Sequence, residues 1–262
     1  MSTKTTFEDL AKLGWYKQQI FGRANAKRGG TMGSADHLHL NDSFADKWSW
    51  HCYNTTFGDL HKIGERPQTA KDDTVVWSYD NSNSDLPFPH THRETYEETT
   101  TVTATISKSA EVKISQSFTI EAIASSSLDI TIKADSTNTT TKEEKRSHEE
   151  SWNITIPPGY KLELIRTRTD FSSTAEYEID VGINGLIGTQ GELYNEHYFW
   201  AYDINRLLGS PRGSLRIRGT SRKTSYTFTQ KTESPKGEIH LYTLGIQEDG
   251  DQPRALILAA SE

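Results

Sequence analysis

The sequence predicts a mainly β, elongated fold of long antiparallel strands, with one amphipathic hairpin and a small α+β head at the N-terminus. Three observations carry this. First, from Val102 to Ala124 the even positions are apolar except Lys108 and Gln116, while the odd positions are polar except Ile123. The same phase resumes at Leu128, Ile130, Ile132 and Ala134. A period of two over this length is a strand signal, because successive strand side chains point to opposite faces. Second, this stretch is flanked by polar runs, HRETYEETTT before it and STNTTTKEEKRSHEES after it. Residues 136–151 contain no apolar side chain, so the two runs read as opposing legs of one solvated ribbon. Third, only 33% of residues are hydrophobic and mean hydropathy is −0.71, yet aromatics reach 10% and Trp numbers 6. Disorder would not carry those aromatics, whereas exposed ribbons give this composition.

With 262 residues the chain can form one elongated domain or two small ones with a real core. The expected regions are a head over 1–90, a β module over 91–230 containing the hairpin 107–135, and a C-terminal extension over 231–262. A net charge of −7 argues against nucleic acid as a partner. Cys52 is the single cysteine, so no intrachain disulfide is possible. MSTKTTFEDLAKLG lacks a basic segment followed by an apolar one, so no secretory signal is visible. No window approaches 18 apolar residues; membrane entry, if any, is by strands.

In the head, Phe7, Leu10, Leu13 and Ile20 predict a short amphipathic helix within 5–21, with Thr6 as N-cap and a stop near Gly14 or Gly22. GRANAKRGG (22–30) reads as a basic surface loop, and Arg28 as a proteolytic activation candidate, since exposed loops are where nicking concentrates. Residues 37–60 are aromatic-dense. Trp48 and Trp50 are expected on one strand face, and Trp77 and Tyr79 on another. Together with Tyr53 they form either a core of short strands or an aromatic platform for a sugar ring or lipid headgroup, which makes them receptor-binding candidates. The His37/His39 and His90/His92 pairs have no carboxylate or Cys at a recognised ligand spacing, so neither metal nor cofactor is expected. Leu86-Pro87-Phe88-Pro89 is a stiff connector and a candidate boundary.

The hairpin turns at Ser125-Ser126-Ser127. A three-residue turn would oppose Ala124 to Leu128, Ile120 to Ile132 and Phe118 to Ala134. Two readings of the arms stand. One is half of an ordinary antiparallel sheet with its apolar face on a core. The other is a hairpin that ends in lipid. Val112, Ile114, Phe118, Ile120, Ala122, Ala124, Leu128, Ile130, Ile132 and Ala134 would then face lipid. Glu111, Lys113, Ser115, Ser117, Thr119, Glu121, Asp129, Thr131 and Lys133 would line a water-filled pore of weak cation preference at most. Small apolar and hydroxyl residues favour the second reading; a strict band of seven residues per arm is short against roughly 9–11 for a spanning strand.

Beyond the ribbon, Trp152, Ile154 and Ile156 alternate, Pro157-Pro158-Gly159 forces a turn, and Leu162 and Leu164 start the next strand. Tyr177, Ile179 and Val181 make another. The order of a Thr/Ser-rich strand, amphipathic hairpin, Thr/Ser-rich return, then W-x-I-x-I-P-P-G-x-x-L-x-L and Y-x-I-x-V, resembles the aerolysin family of β-pore-forming toxins, in its epsilon-toxin and mosquitocidal-toxin branch. The resemblance covers roughly Glu94 to Gly188. Arg212 to Gly219, running on to Tyr226 and Phe228, looks like the last long strand of that fold. The tip around Ala122-Ile123-Ala124 is less bulky than in many members, and no appended lectin domain is evident.

The resemblance implies a soluble protein, released or secreted without a visible signal peptide. It would dock on a target cell membrane through a glycan, lipid or protein receptor. It would assemble into a ring homo-oligomer, a heptamer or octamer, and insert one hairpin per protomer into a closed barrel, with a cytolytic and possible insecticidal outcome. Residues 1–90 and YNEHYFWAY (194–202) would supply any receptor-binding surface. Removal of a terminal peptide is common in the family, which makes Lys231 and Lys236 activation candidates.

An enzyme is not expected. The sequence has no G-x-S-x-G, H-E-x-x-H or P-loop, and Gly182, Gly185 and Gly188 fit no nucleotide fingerprint. The remaining alternative is a non-lytic, β-rich, carbohydrate-binding defence protein that keeps the same fold.

Overall fold

The computed structural model describes residues 3–109, 111–121, 128–134 and 139–244. They are mainly β. Two helices open the chain, α1 (Phe7–Lys12) and α2 (Lys17–Lys27), followed by β1 (Leu38–His39) and α3 (Ser43–Lys47). The long strands are β2 (Cys52–Asp80), β3 (Phe88–Lys108), β6 (Thr139–Ile156), β7 (Lys161–Tyr194) and β9 (Arg212–Glu233). The short ones are β4 (Ser117–Ile120), β5 (Ile130–Lys133), β8 (His197–Asp203) and β10 (Ile239–Leu244), and α4 (Ile204–Leu208) joins β8 to β9. The main sheet runs β1-β7-β9-β3-β6, with β10 on β9 and both β2 and β8 on β7; β4 and β5 form a separate two-stranded sheet.

By contact the chain divides into two compact units. One takes the described residues of Met1–Arg66, Thr103–Thr141 and Thr174–Thr220; the other takes those of Pro67–Val102, Lys142–Ser173 and Ser221–Glu262.

In the first unit, Thr6 caps α1 as expected. Its hydroxyl accepts from the Asp9 amide at 3.1 Å, and the Asp9 carboxylate accepts from the Thr6 amide at 3.0 Å, closing a capping box. The single helix expected within 5–21 is two helices. The second passes through Gly22 and ends at Gly29 and Gly30, whose φ of +67° and +83° only glycine adopts without strain. The expected loop at 22–30 is therefore mostly helix, and Arg28 is fully buried rather than presented for cleavage. Its guanidinium donates to the Thr31 hydroxyl, the Thr189 hydroxyl and the carbonyls of Tyr198 and Glu192, all at 3.0–3.2 Å. The basic side chain ties α2 to β7 and β8. Leu10, Ile20, Ala24, Leu38, Cys52, Ile183, Ile187 and Leu207 form the core beside it.

The two strands expected at Leu162 and Tyr177 are one continuous β7 of 34 residues. Its glycines allow neighbours to cross closely. A Cβ on Gly185 would collide with the His51 carbonyl and the Cys52 backbone, so β2 can start against β7 only where β7 lacks a side chain.

In the second unit the Pro157-Pro158-Gly159 turn forms as expected, and Asn81 holds it. The buried Asn81 amide nitrogen donates to the carbonyls of Leu86, Ile156 and Pro157 at 3.0–3.1 Å, while its carbonyl accepts from the Gly159 amide at 3.0 Å. Leu86 and Pro87 lie in the turn between β2 and β3. Ile154, Ile156 and Leu162 pack with Trp77, Tyr79 and Trp152, while Tyr96, Leu164, Phe228 and Leu244 form a second cluster. Lys231 lies within β9 and pairs with Leu241 of β10, so the expected extension begins as a strand.

Candidate membrane-insertion hairpin

β3 and β6 form the predicted ribbon. Side chains bond across it in steps of two: Thr101 to Glu143 at 3.4 Å, Thr103 to Thr141 at 3.1 Å and Thr105 to Thr139 at 3.1 Å. Cross-strand hydroxyl pairs of this kind suit an antiparallel ladder that water reaches.

The continuous arms expected beyond the ribbon are broken. β3 ends at Lys108, residues 111–116 form no strand, and pairing resumes only in β4 and β5. There Ser117 opposes Lys133, Phe118 opposes Ile132, Thr119 opposes Thr131 and Ile120 opposes Ile130. The expected register, with Ile120 opposite Ile132, is thus displaced by two residues. An even displacement keeps every side chain on its face. The expected turn at Ser125–Ser127, together with Ala122 and Ala124, lies outside the described residues.

The phase of the two faces is the one read from the sequence. Val112, Ile114, Phe118, Ile120, Leu128, Ile130 and Ile132 are all at most 7% exposed, and Ala134 is half-buried. Glu111, Lys113, Ser115, Ser117, Thr119, Glu121, Asp129, Thr131 and Lys133 are all exposed. The apolar face is turned into the protein and the polar face to water. Returning seven such side chains to water would cost roughly 10–20 kcal/mol at about 1.5–3 kcal/mol each. Release therefore needs another apolar environment to receive them.

Among the described residues, hydrogen bonds from Thr3, Asn54 and Thr56 fasten the first arm. Asn54 donates its amide to the Lys113 carbonyl at 2.9 Å, Thr56 donates to the Gln116 side chain at 3.0 Å, and the hydroxyls of Thr3 and Ser115 lie 2.8 Å apart. Thr3 is itself held by the start of β2, its carbonyl accepting from the Asn54 amide at 2.9 Å. Sequence reading missed Thr3, Asn54 and Thr56, since isolated hydroxyl and amide residues carry no pattern.

The aromatic candidates are not brought together. Trp48 caps the C-terminus of α3 and Trp50 precedes β2, so neither lies on the expected strand face. Their rings nevertheless stack at 5.7 Å, and Trp48 lies 6.1 Å from Phe199. Phe44 bridges them, 5.1 Å from Phe199 and stacked on His39 at 4.1 Å. Trp48 is 51% exposed and Phe199 36%, which makes this an aromatic surface on the first unit. The 194–202 segment was legible as an aromatic run; Phe44 gave no signal. Tyr53 touches His51 at 6.0 Å. Trp77 and Tyr79 belong to the second unit, in a half-buried ladder. Trp77 lies parallel to His90 at 4.1 Å, and Tyr79 stacks on Phe88 at 3.9 Å.

Among the described residues no group of three or more His, Cys, Asp or Glu side chains is placed to hold a metal ion, and no helix is long and apolar enough to cross a membrane.

Long antiparallel strands carrying a docked amphipathic hairpin define the fold of β-pore-forming toxins. Residues 87–232, more than half of the chain, match the family described as Clostridium epsilon toxin ETX/Bacillus mosquitocidal toxin MTX2, and the chain belongs to that family. Among solved structures it is similar to the parasporin-2 toxin of Bacillus thuringiensis, described as recognising cancer cells. That likeness has 15% identity and a TM-score of 0.53, over 93% of this chain and 99% of the other. It is also similar to the Mpp75Aa1.1 β-pore-forming protein from Brevibacillus laterosporus, with 15% identity and a TM-score of 0.48, over 90% and 92% of the two chains. No curated protein sequence matches the chain.

Proposed function

We propose that this protein is a cytolytic pore-former. It binds a target cell membrane, assembles into a ring of copies and inserts the 107–135 hairpin of each copy into one closed β-barrel. The observation that carries the reading is the hairpin's two-faced burial in a sheet of its own. The face that must meet lipid is already segregated from the face that must meet water. Val112 to Ala134 on the even phase are the lipid-facing set and Glu111 to Lys133 on the odd phase the pore lining. Ring closure satisfies every strand edge, which an open sheet in hydrocarbon could not do.

The aromatic surface of exposed Trp48 and Phe199, with half-buried Trp50 stacked on Trp48, is the better-suited receptor patch. Its rings present apolar faces, and its two Trp rings an indole N–H each, to a sugar or lipid headgroup. The half-buried Trp77 and Tyr79 suit contact with a receptor less well. Removal of the segment after Lys236 is the activation step that best fits the exposure of that residue, whereas Lys231 is paired within β9 and bound to Glu163 at 2.8 Å. By family resemblance the ring is a heptamer or octamer.

The test is dye release from liposomes carrying target-cell lipids, alongside killing of the cells from which they derive. Release and killing support the pore. Binding or agglutination without either favours the non-lytic carbohydrate-binding reading, for which the same aromatic surface would serve.

A further inference from the structure

The ribbon and the docked hairpin are in different registers. Thr105 bonds across to Thr139 in the ribbon, and Ser117 opposes Lys133 in the hairpin. Twelve positions separate Thr105 from Ser117, but only six separate Lys133 from Thr139. The first arm therefore carries six residues more than the second between the two ladders. In the docked form this surplus falls in the stretch that includes 111–116, outside any strand and held by Thr3, Asn54 and Thr56. A lipid-embedded barrel cannot keep it, because every backbone group there needs a ladder partner.

We propose that insertion resets the hairpin by six residues into the register of the ribbon, so that the docked β4–β5 pairing is broken before the membrane strands form. This rests on the insertion reading above. The ribbon's register is the one that survives, since the hairpin has four opposed pairs and β6 alone runs for 18 residues. Continued from Thr105 and Thr139, it sets Val112 opposite Ile132 and Ile114 opposite Ile130. On the sequence, Ala110–Ile120 then lies opposite Ala124–Ala134, with Lys108 and Ser136 bounding both arms at one height. Each arm spans 11 residues, the length of a tilted membrane strand. The docked register, continued, would set Val112 against Asn138 and Ile114 against Ser136, apolar beside polar on the lipid face. A shift of six is even, so inside and outside are preserved.

Two double-cysteine variants on the exposed face separate the registers. Thr119→Cys/Thr131→Cys joins positions whose hydroxyls are 3.0 Å apart in the docked hairpin. Ser115→Cys/Asp129→Cys joins positions opposed only after the reset; by the docked pairing they are offset by roughly 20 Å of strand. Native Cys52 can stay, being buried with its thiol pushed up to about 11 by that burial. Each variant is oxidised in solution and, separately, after binding to leaky liposomes, and the linked peptides are read by mass spectrometry. The 119–131 link is expected to form only in solution and to reduce dye release to background until reductant restores it. The 115–129 link is expected only in the membrane-bound form. Full release with the 119–131 link intact, or that link still forming after insertion while 115–129 does not, overturns the reset. If neither reduced variant nor the parent protein releases dye, the insertion reading fails instead.

Discussion

Ile132→Ala separates the docked state from the inserted one. Ile132 is fully buried and faces Phe118 across the hairpin. Removing three carbons forfeits about 2.4 kcal/mol of transfer energy at about 0.8 kcal/mol per group. That loss applies equally in protein and in lipid, so it cancels between the two states. The cavity term does not cancel: a packed interior relaxes only in part, whereas lipid tails close the gap. Total costs for buried Ile→Ala run about 2–5 kcal/mol, which leaves up to about 2.5 kcal/mol borne by the docked state alone. In hydrogen exchange the opened hairpin meets water rather than lipid, so the whole cost of about 2–5 kcal/mol applies. At about 1.4 kcal/mol per tenfold, exchange of the hairpin amides should rise by about thirtyfold or more. Hydrogen exchange on the soluble protein and dye-release rates on liposomes read the two sides. Faster exchange with release as fast as or faster than the parent's is expected. Unchanged exchange with slowed release would refute the argument, because Ile132 would then matter only in the membrane.

Arg28→Met keeps the stem but removes the donor to the Tyr198 and Glu192 carbonyls, while the Thr31 and Thr189 hydroxyls keep the carbonyls of residues 28 and 200 as acceptors. At about 1–3 kcal/mol for each of the two unsatisfied carbonyls, stability should fall by about 3 kcal/mol. For a chain of this size that is about 6–12 °C in Tm by calorimetry; an unchanged Tm would contradict it. Limited trypsin digestion should cut after Lys236, in the exposed turn between β9 and β10, before Lys231, and mass spectrometry of the first fragment decides. The His90 imidazole, stacked on Trp77 and close to Phe88 and His92, is held below its usual 6.5 by burial first and by His92 second. The unfolded chain therefore takes up that proton first as pH falls, so the stability contributed by neutral His90 is present above 6.5 and lost below it. Thermal unfolding between pH 7.5 and 5.5 should show a shallower decline for His90→Phe than for the parent; parallel slopes would rule His90 out.

What was legible in the sequence was local. The two-residue period assigned each described hairpin side chain to its face, because facing depends only on position along a strand. The register did not follow, since it depends on where the arms break and on a tip that alternation does not fix. The break at Lys108 has a polar residue in an apolar row as its only mark. Arg28 was misread for a related reason: its environment is built by β7 and β8, more than 160 residues away. The continuity of β7 was hidden by the polar run from Arg166 to Asp170, which interrupts the apolar alternation between Leu164 and Tyr177. Asn81 carried no signal, because its role as a clamp on Pro157-Pro158 is tertiary.

The most direct test of the central claim is a lock on the hairpin. Thr3→Cys/Ser115→Cys replaces two hydroxyls 2.8 Å apart that join the first arm to the strand-bound N-terminus. Dye release and cell killing are measured oxidised and after reduction. Activity absent when oxidised and restored by reductant is the result expected of a hairpin that must leave its dock. Equal activity in both states would mean that the stretch stays where it lies, and that membrane damage, if any, comes from another part of the chain.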